Sequence, residues 1–259
     1  METLITPTNY HSSLNLYETE VAIKRIKDFF QNGLSKALSL ERATAPLFLD
    51  ASTGLNDNLN GVERPVSFSI KDHPGMKVEV VQSLAKWKRY ALQEYGFPMH
   101  AGLYCDMNAI RRDEDLDNIH SVYVDQWDWE AILKKEERTT AYLEMVVKKI
   151  YEVIKSTEDY LNTLYPYIGK LLPDDIFFID SEALLKRYPS LSPKEREKAI
   201  CQEKKAVFIE RIGEKLSDGT PHDKRAPDYD DWSLNGDILV YYPWRPFIKE
   251  ATTRNQQSW

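Results

Sequence analysis

Between Asn108 and Glu130 the chain runs NAIRRDEDLDNIHSVYVDQWDWE, and these side chains are of the kind that handle small charged molecules. Arg111 and Arg112 carry planar guanidinium groups that can grip phosphate oxygens two at a time. Each such charge-assisted bond is worth about 1.5–3 kcal/mol. Gln126 and Asp128 alternate with Trp127 and Trp129. The period of two along a strand puts Gln126 and Asp128 on one face. Carboxylates there can hold an ammonium group or a magnesium ion. Cations and anions mixed in one strand–loop–strand unit suit the activation of a carboxylate by ATP. On pattern alone, Gln126 and Asp128 fit the exposed polar face of a half-buried strand better.

Around this unit the chain reads as a mixture of helices and strands. Residues 17–38 carry Val21, Ile23, Ile26, Phe29, Phe30, Leu34 and Leu38 at helical spacing. RATAPLFLD follows as an extended segment, and Pro46 inside it predicts an edge or interface strand. Residues 66–70 and 78–82 are strand-like, 84–95 helical, and 103–110 with 121–128 an antiparallel pair. The stretch 139–164 is the longest predicted helix, with Leu143, Val146, Val147, Ile150, Val153, Ile154, Leu161 and Leu164 as its apolar stripe. Residues 174–180 predict a short strand, Ser192–Pro193 with Glu195 a helix start, and AVFIERI and DILVYYP two final strands. The strands do not alternate regularly with helices, so a doubly wound parallel sheet is not expected. An α+β domain, a mostly antiparallel sheet with helices packed on it, fits better.

The 259 residues suffice for one sizeable domain. Net charge is -7, from 34 basic and 41 acidic residues, which disfavours nucleic acid and anionic membranes as partners. Cys105 and Cys201 fit no metal spacing or disulfide framework and read as reduced cytoplasmic thiols. METLITPTNY lacks a signal-peptide pattern, and no apolar run reaches membrane-spanning length. The five histidines are scattered, so no metal ligands are assigned. Phosphate-binding GxxxxGK[ST], dinucleotide GxGxxG and nucleophile GxSxG motifs are absent.

The strings DNLNGVERPV, VEVVQSLAKWKR, SVYVDQWDWE, KLSDG, RAPDYDDWS and LNGDILV, spread from Asp57 to Val240, carry a resemblance. The chain resembles ammonia-dependent asparagine synthetase, an aspartate–ammonia ligase built on a class II aminoacyl-tRNA synthetase catalytic domain. The resemblance implies an antiparallel sheet flanked by helices, and a homodimer formed through the N-terminal helix and the strand near Pro46. It implies ATP with Mg2+, L-aspartate and ammonia as the molecules handled, in the cytoplasm, through a β-aspartyl adenylate.

The same resemblance assigns roles. Arg111 matches the phosphate-binding arginine of the class, and Arg112 offers a second register. Lys88, five residues after Ser83, meets a substrate carboxylate. Asp128 reads the substrate ammonium, with Gln126 and Ser121 beside it, and Asp57 lies in a loop over the substrate. Asp230 and Asp237 take the ammonium proton or help order magnesium; Asp228 and Asp231 read as turn acids around Pro227.

The resemblance breaks after Pro243, which divides the chain into a synthetase-like domain over 1–243 and a divergent tail over 244–259. The glycine-rich third motif of the class, with its arginine, is absent, and a sheet lacking partners for DILVYYP is expected. A truncated or frame-shifted copy that binds aspartate with weakened or absent turnover is therefore the alternative. A detached tRNA-linked domain is a third reading, which the acidic balance disfavours.

Overall fold

The computed structural model describes residues 11–59, 61–116, 120–226, 229–242 and 252–253. Five helices and ten strands are assigned among them. Helix α1 (Leu16–Leu38) starts where Asn15 and Glu18 exchange side-chain-to-backbone hydrogen bonds, and stops at Ser39, which turns left-handed at φ 55°. Strand β1 (Leu40–Arg42) follows at once. Strand β2 (Phe48–Asp50) resumes after Pro46, so the single extended segment read from RATAPLFLD is broken into two. Both pieces are edge strands, as a proline between them requires.

β3 (Ser67–Ile70) and β4 (His73–Val80) form a hairpin that β2 extends into a three-stranded antiparallel sheet. Helix α2 (Ala85–Glu94) leads to the long antiparallel pair β5 (Gly102–Ile110) and β6 (Tyr123–Ala131). β1 joins this pair in parallel at β5. At Gly102 the strands close tightly: a β-carbon there would stand 2.2 Å from the Glu130 carbonyl oxygen.

Helix α3 (Thr140–Leu164), capped by Thr139, buries the predicted stripe from Leu143 to Val153. Strand β7 (Phe177–Asp180) runs into α4 (Ser181–Arg187), and Ser192 with Glu195 opens α5 (Pro193–Lys204) through the expected capping box. β8 (Ala206–Glu210) lies parallel to β7 and antiparallel to β9 (Gly236–Val240). The outer side of β9 is paired by β10 (Thr252–Thr253) against Leu239 and Ile238. This corrects the expectation that DILVYYP would find no partner strand.

The architecture is α+β with mostly antiparallel pairing, divided into three sheets rather than one, and with two parallel pairs that sequence pattern did not reveal. α3 and α1 cover one face of β5–β6, where Tyr104 and Trp129 meet Leu34, Val147 and Ile150; Phe208 and Ile238 join from β8 and β9. α2 covers the opposite face, packing Trp87, Ala91 and Leu92 on Leu103, Cys105, Met107 and Ala109. Alternation along β6 then decides which of its side chains reach the site. Trp127 and Trp129 face α1 and α3, and Trp127 stacks on Phe30. Gln126, Asp128 and Glu130 stand opposite Met107, Cys105 and Leu103, toward α2.

Candidate functional site

The turn before α2 and the α2-facing side of β6 form the centre of the site. Lys88, on α2, has no solvent exposure. Its ammonium donates to Asp128 Oδ1 and, at 2.9 Å, to the Trp129 carbonyl, and lies 3.8 Å from Glu130 Oε2. Burial opposes the lysine charge, but Asp128 and then Glu130 outweigh it and hold its pKa above the ordinary value. Arg89, the next residue, donates through Nε to Glu130 at 3.4 Å and through Nη2 to the Tyr229 carbonyl at 2.9 Å. Burial pushes the Glu130 carboxyl up to about 7 against the pull of Lys88 and Arg89.

Arg111 follows β5 directly. Its Nε donates to the Gln82 carbonyl at 3.4 Å, and Nη1 lies 3.8 Å from Glu114. It is thereby set against the turn that carries Ser83, and its side chain remains partly accessible. Arg112 is exposed, as is the neighbouring Asp113, which Arg64 grips through two nitrogens at 2.5 and 2.9 Å. Arg111 and Arg112 therefore occupy different environments. Gln126 is half-buried, with Nε2 3.3 Å from Met107 Sδ. Ser121 is exposed ahead of β6, where its Oγ accepts from Tyr123 N at 3.3 Å.

Asp57 lies in the loop expected of it, with its side chain turned inward onto the start of α2. It is buried and accepts from the backbone N–H of Ala85 at 2.5 Å and of Lys86 at 3.1 Å, capping α2 from 28 residues away. Ser83 adds a side-chain hydrogen bond to it, and burial raises the Asp57 pKa despite these donors. Lys88, expected to meet a substrate carboxylate, has its ammonium enclosed among Asp128, Glu130 and the Trp129 carbonyl. Asp228 and Pro227 lie outside the described residues, as does most of the tail.

Asp230 and Asp237 meet at a residue the sequence reading passed over. Arg225 Nε donates to Asp230 Oδ2 at 2.7 Å, and Nη1 lies 3.7 Å from Asp237 Oδ1, all three side chains being buried. Burial opposes the guanidinium charge, while Asp237 and then Asp230 raise its pKa. Arg225 opens the RAPDYDDW string, and its charge beside the three acids of that string was the available signal. Asp231 is a turn acid, accepting from Ser233 N at 3.0 Å and pairing with Arg138. The Arg89–Tyr229 bond and the packing of Ala226 and Tyr229 on Ala85 bring this segment onto the start of α2. Lys88 and Asp128 thus connect through Glu130 and Arg89 to Tyr229, next to Asp230, while Arg111 borders the turn before α2 and Gln126 lies one pleat from Asp128.

Among the described residues no cluster of three or more His, Cys, Asp or Glu could hold a metal. Asp230 and Asp237 share the single positive charge of Arg225. No described helix is long and apolar enough to cross a membrane.

A chain with this fold shares the architecture of the class II aminoacyl-tRNA synthetases. An asparaginyl-tRNA synthetase from Entamoeba histolytica, solved with asparaginyl-adenylate, superposes with a TM-score of 0.52 at 11% identity. The superposition covers 90% of this chain and 55% of that enzyme, and it concerns the fold alone. The family model for aspartate-ammonia ligase matches residues 17–252, and the chain belongs to that family of ligases. It is 60% identical over 243 residues to an aspartate–ammonia ligase of Ruminiclostridium cellulolyticum, covering 94% of this chain and 72% of the relative. It is 56% identical over 250 residues to that of Clostridium tetani, covering 96% and 72%.

Proposed function

We propose that the protein ligates ammonia to L-aspartate at the expense of ATP, giving L-asparagine, AMP and pyrophosphate. What most supports this reading is the buried Lys88–Asp128 pair beside the Arg111 turn, inside a chain that matches the ligase family from residue 17 to residue 252. A side-chain carboxylate is a poor electrophile and needs a leaving group. One oxygen of the aspartate side chain attacks the α-phosphorus, and the bond to pyrophosphate breaks with its electron pair. The nitrogen of ammonia then attacks the acyl carbon of the mixed anhydride, and AMP departs. The attacking nitrogen sheds one proton.

In this scheme Arg111 neutralises phosphate charge that grows at the α-phosphorus. Asp128, its position fixed by Lys88, meets the substrate ammonium, with Gln126 one pleat away. Ser83 and Asp57 hold the start of α2. Arg225 orients Asp230 and Asp237, and Asp230 Oδ1, buried without a hydrogen-bond partner among the described residues, is an acceptor for the ammonium proton. Mg2+ enters with the nucleotide as part of the substrate. Exposed Leu16, Tyr17 and Ile23 on α1 support self-association through that helix. The buried cysteines Cys105 and Cys201 accord with a reducing cytoplasm.

The test is exchange of labelled pyrophosphate into ATP by the purified chain. Exchange that requires aspartate, and AMP release that then requires ammonia, is the expected result. Absence of aspartate-dependent exchange would refute the reading.

A further inference from the structure

Glu130 is the one ionisable residue of the α2-facing row of β6 to which the sequence assigned no task. Its side chain is 9% exposed, and it touches both cations that α2 presents: Lys88 at 3.8 Å and Arg89 at 3.4 Å. Asp128 takes the Lys88 ammonium from one side, the Trp129 carbonyl takes it from a second, and Glu130 stands at the third. An ammonium has three donors, so Glu130 decides how tightly Lys88 is committed to Asp128. Through Arg89 it also reaches the Tyr229 carbonyl, the residue next to Asp230. A single carboxylate thereby connects the amino-acid end of the site to the segment carrying the paired aspartates.

We infer that Glu130 is a positioning residue for the amino-acid substrate, setting Lys88 and Asp128 on one side and the Arg89-anchored 229–231 segment on the other. The inference rests on the reading that the Lys88–Asp128 end of the site takes aspartate. An ionised Glu130 competes for Lys88 and loosens its hold on Asp128, leaving that carboxylate free to meet an incoming ammonium. A neutral one leaves Lys88 locked on Asp128. The charged groups facing Glu130 are Lys88 and Arg89 on α2 and Asp128 on its own strand; Arg138 from the segment before α3, His100 and Lys149 line the two cavities that flank it. Its carboxyl, raised to about 7 by burial, changes charge within the working range of such an enzyme.

The experiment compares the full chain with Glu130→Gln, Glu130→Asp and Arg89→Lys in aspartate-dependent pyrophosphate exchange from pH 5.5 to 9. Glu130→Gln raises KM for aspartate by about tenfold or more, leaves KM for ATP within about twofold, and removes the rise in aspartate kcat/KM through pH 7. Glu130→Asp restores part of the affinity and keeps the pH limb. Arg89→Lys, which retains charge but cannot reach both partners, raises KM for aspartate in the same direction. An unchanged KM for aspartate in an active Glu130→Gln enzyme overturns the inference and leaves the functional reading standing. Equal losses in both KM values and kcat, with no change of pH profile, assign Glu130 a purely structural part and also overturn it. Should Glu130→Gln fail to fold, Arg89→Lys and Glu130→Asp decide by the same criteria. A wild-type chain without aspartate-dependent exchange removes the functional reading and this inference together.

Discussion

Replacing Lys88 with methionine is the sharpest perturbation the structure offers. Methionine keeps most of the aliphatic stem and deletes the ammonium. Lost with it are the bond to Asp128, the bond to the Trp129 carbonyl at 2.9 Å and the pairing with Glu130 at 3.8 Å. Asp128 and Glu130 are then two nearly enclosed carboxylates on one strand face. Breaking a buried ion pair from one side costs about 3–5 kcal/mol, because the remaining charge is stranded. Glu130 limits that cost. It titrates near 7 even with Lys88 present, and without the lysine it keeps its proton to higher pH. The loss expected for Lys88→Met is therefore about 3 kcal/mol at pH 8, and smaller at pH 6. Urea unfolding followed by tryptophan fluorescence measures it, with Trp127 and Trp129 on either side of Asp128 in the affected strand. Adding Asp128→Asn to the Lys88→Met chain should recover part of the loss, since the second change removes the stranded charge. A loss under about 1 kcal/mol at pH 8, or two substitutions whose costs simply add, would refute the premise that this pair is enclosed and coupled.

Three further outcomes follow from the same geometry. Arg111→Met raises KM for ATP by roughly tenfold or more, the equivalent of one charge-assisted bond, whereas Arg112→Met changes it less than about twofold; steady-state titration of ATP separates the two. Asp57→Ala destabilises the protein by about 1–2 kcal/mol through loss of the α2 cap, and Asp57→Asn by less, as read by chemical denaturation. Glu210, buried at the end of β8 near Glu144, has its carboxyl raised to about 7, first by burial and then by that neighbour. The folded chain holds this proton above the pH at which the unfolded chain releases it. The stability so gained is present below the ordinary carboxylate value and is lost as pH climbs through 7. Glu210→Gln should therefore be more stable than the wild type at pH 8, on the order of 1 kcal/mol after discounting for solvent screening, and show no such gain at pH 4.5.

The elements were legible where one local rule governed them. The 3.6-residue stripes of α1 and α3, the Ser192–Glu195 cap of α5 and the alternation along β6 can all be read without knowing what they touch. The parallel partners of β5 and β8 could not, since strand pairing is a choice among distant segments with similar patterns. The same limit separates the site residues. Asp57 looks like a loop acid in DNLNG and proves to be the cap of a helix that begins 28 residues later. Arg225 looks like one charge in an acidic turn and proves to hold Asp230 and Asp237 together.

The two most distinctive strings in the chain, SLAKWKR and VDQWDWE, acquire a physical reason for occurring together. Lys88 and Arg89 are adjacent on a helix; Asp128 and Glu130 are two apart on a strand, hence side by side on one face. Helix and strand meet so that each cation has a carboxylate: Lys88, fully enclosed, on Asp128, and Arg89, whose side chain is 35% exposed, on Glu130. Either string alone would bury uncompensated charge, at a cost of several kcal/mol per ion. The intervening tryptophans are pushed by the same alternation to the other side of β6, where Trp127 lies on Phe30 and Trp129 enters the α3 core. A substitution that reverses one cation, such as Arg89→Glu, should therefore be rescued in folding by Glu130→Arg, while aspartate use is not, because Lys88 would then face a second cation. Urea unfolding and pyrophosphate exchange on the same double variant test the two halves of that statement separately.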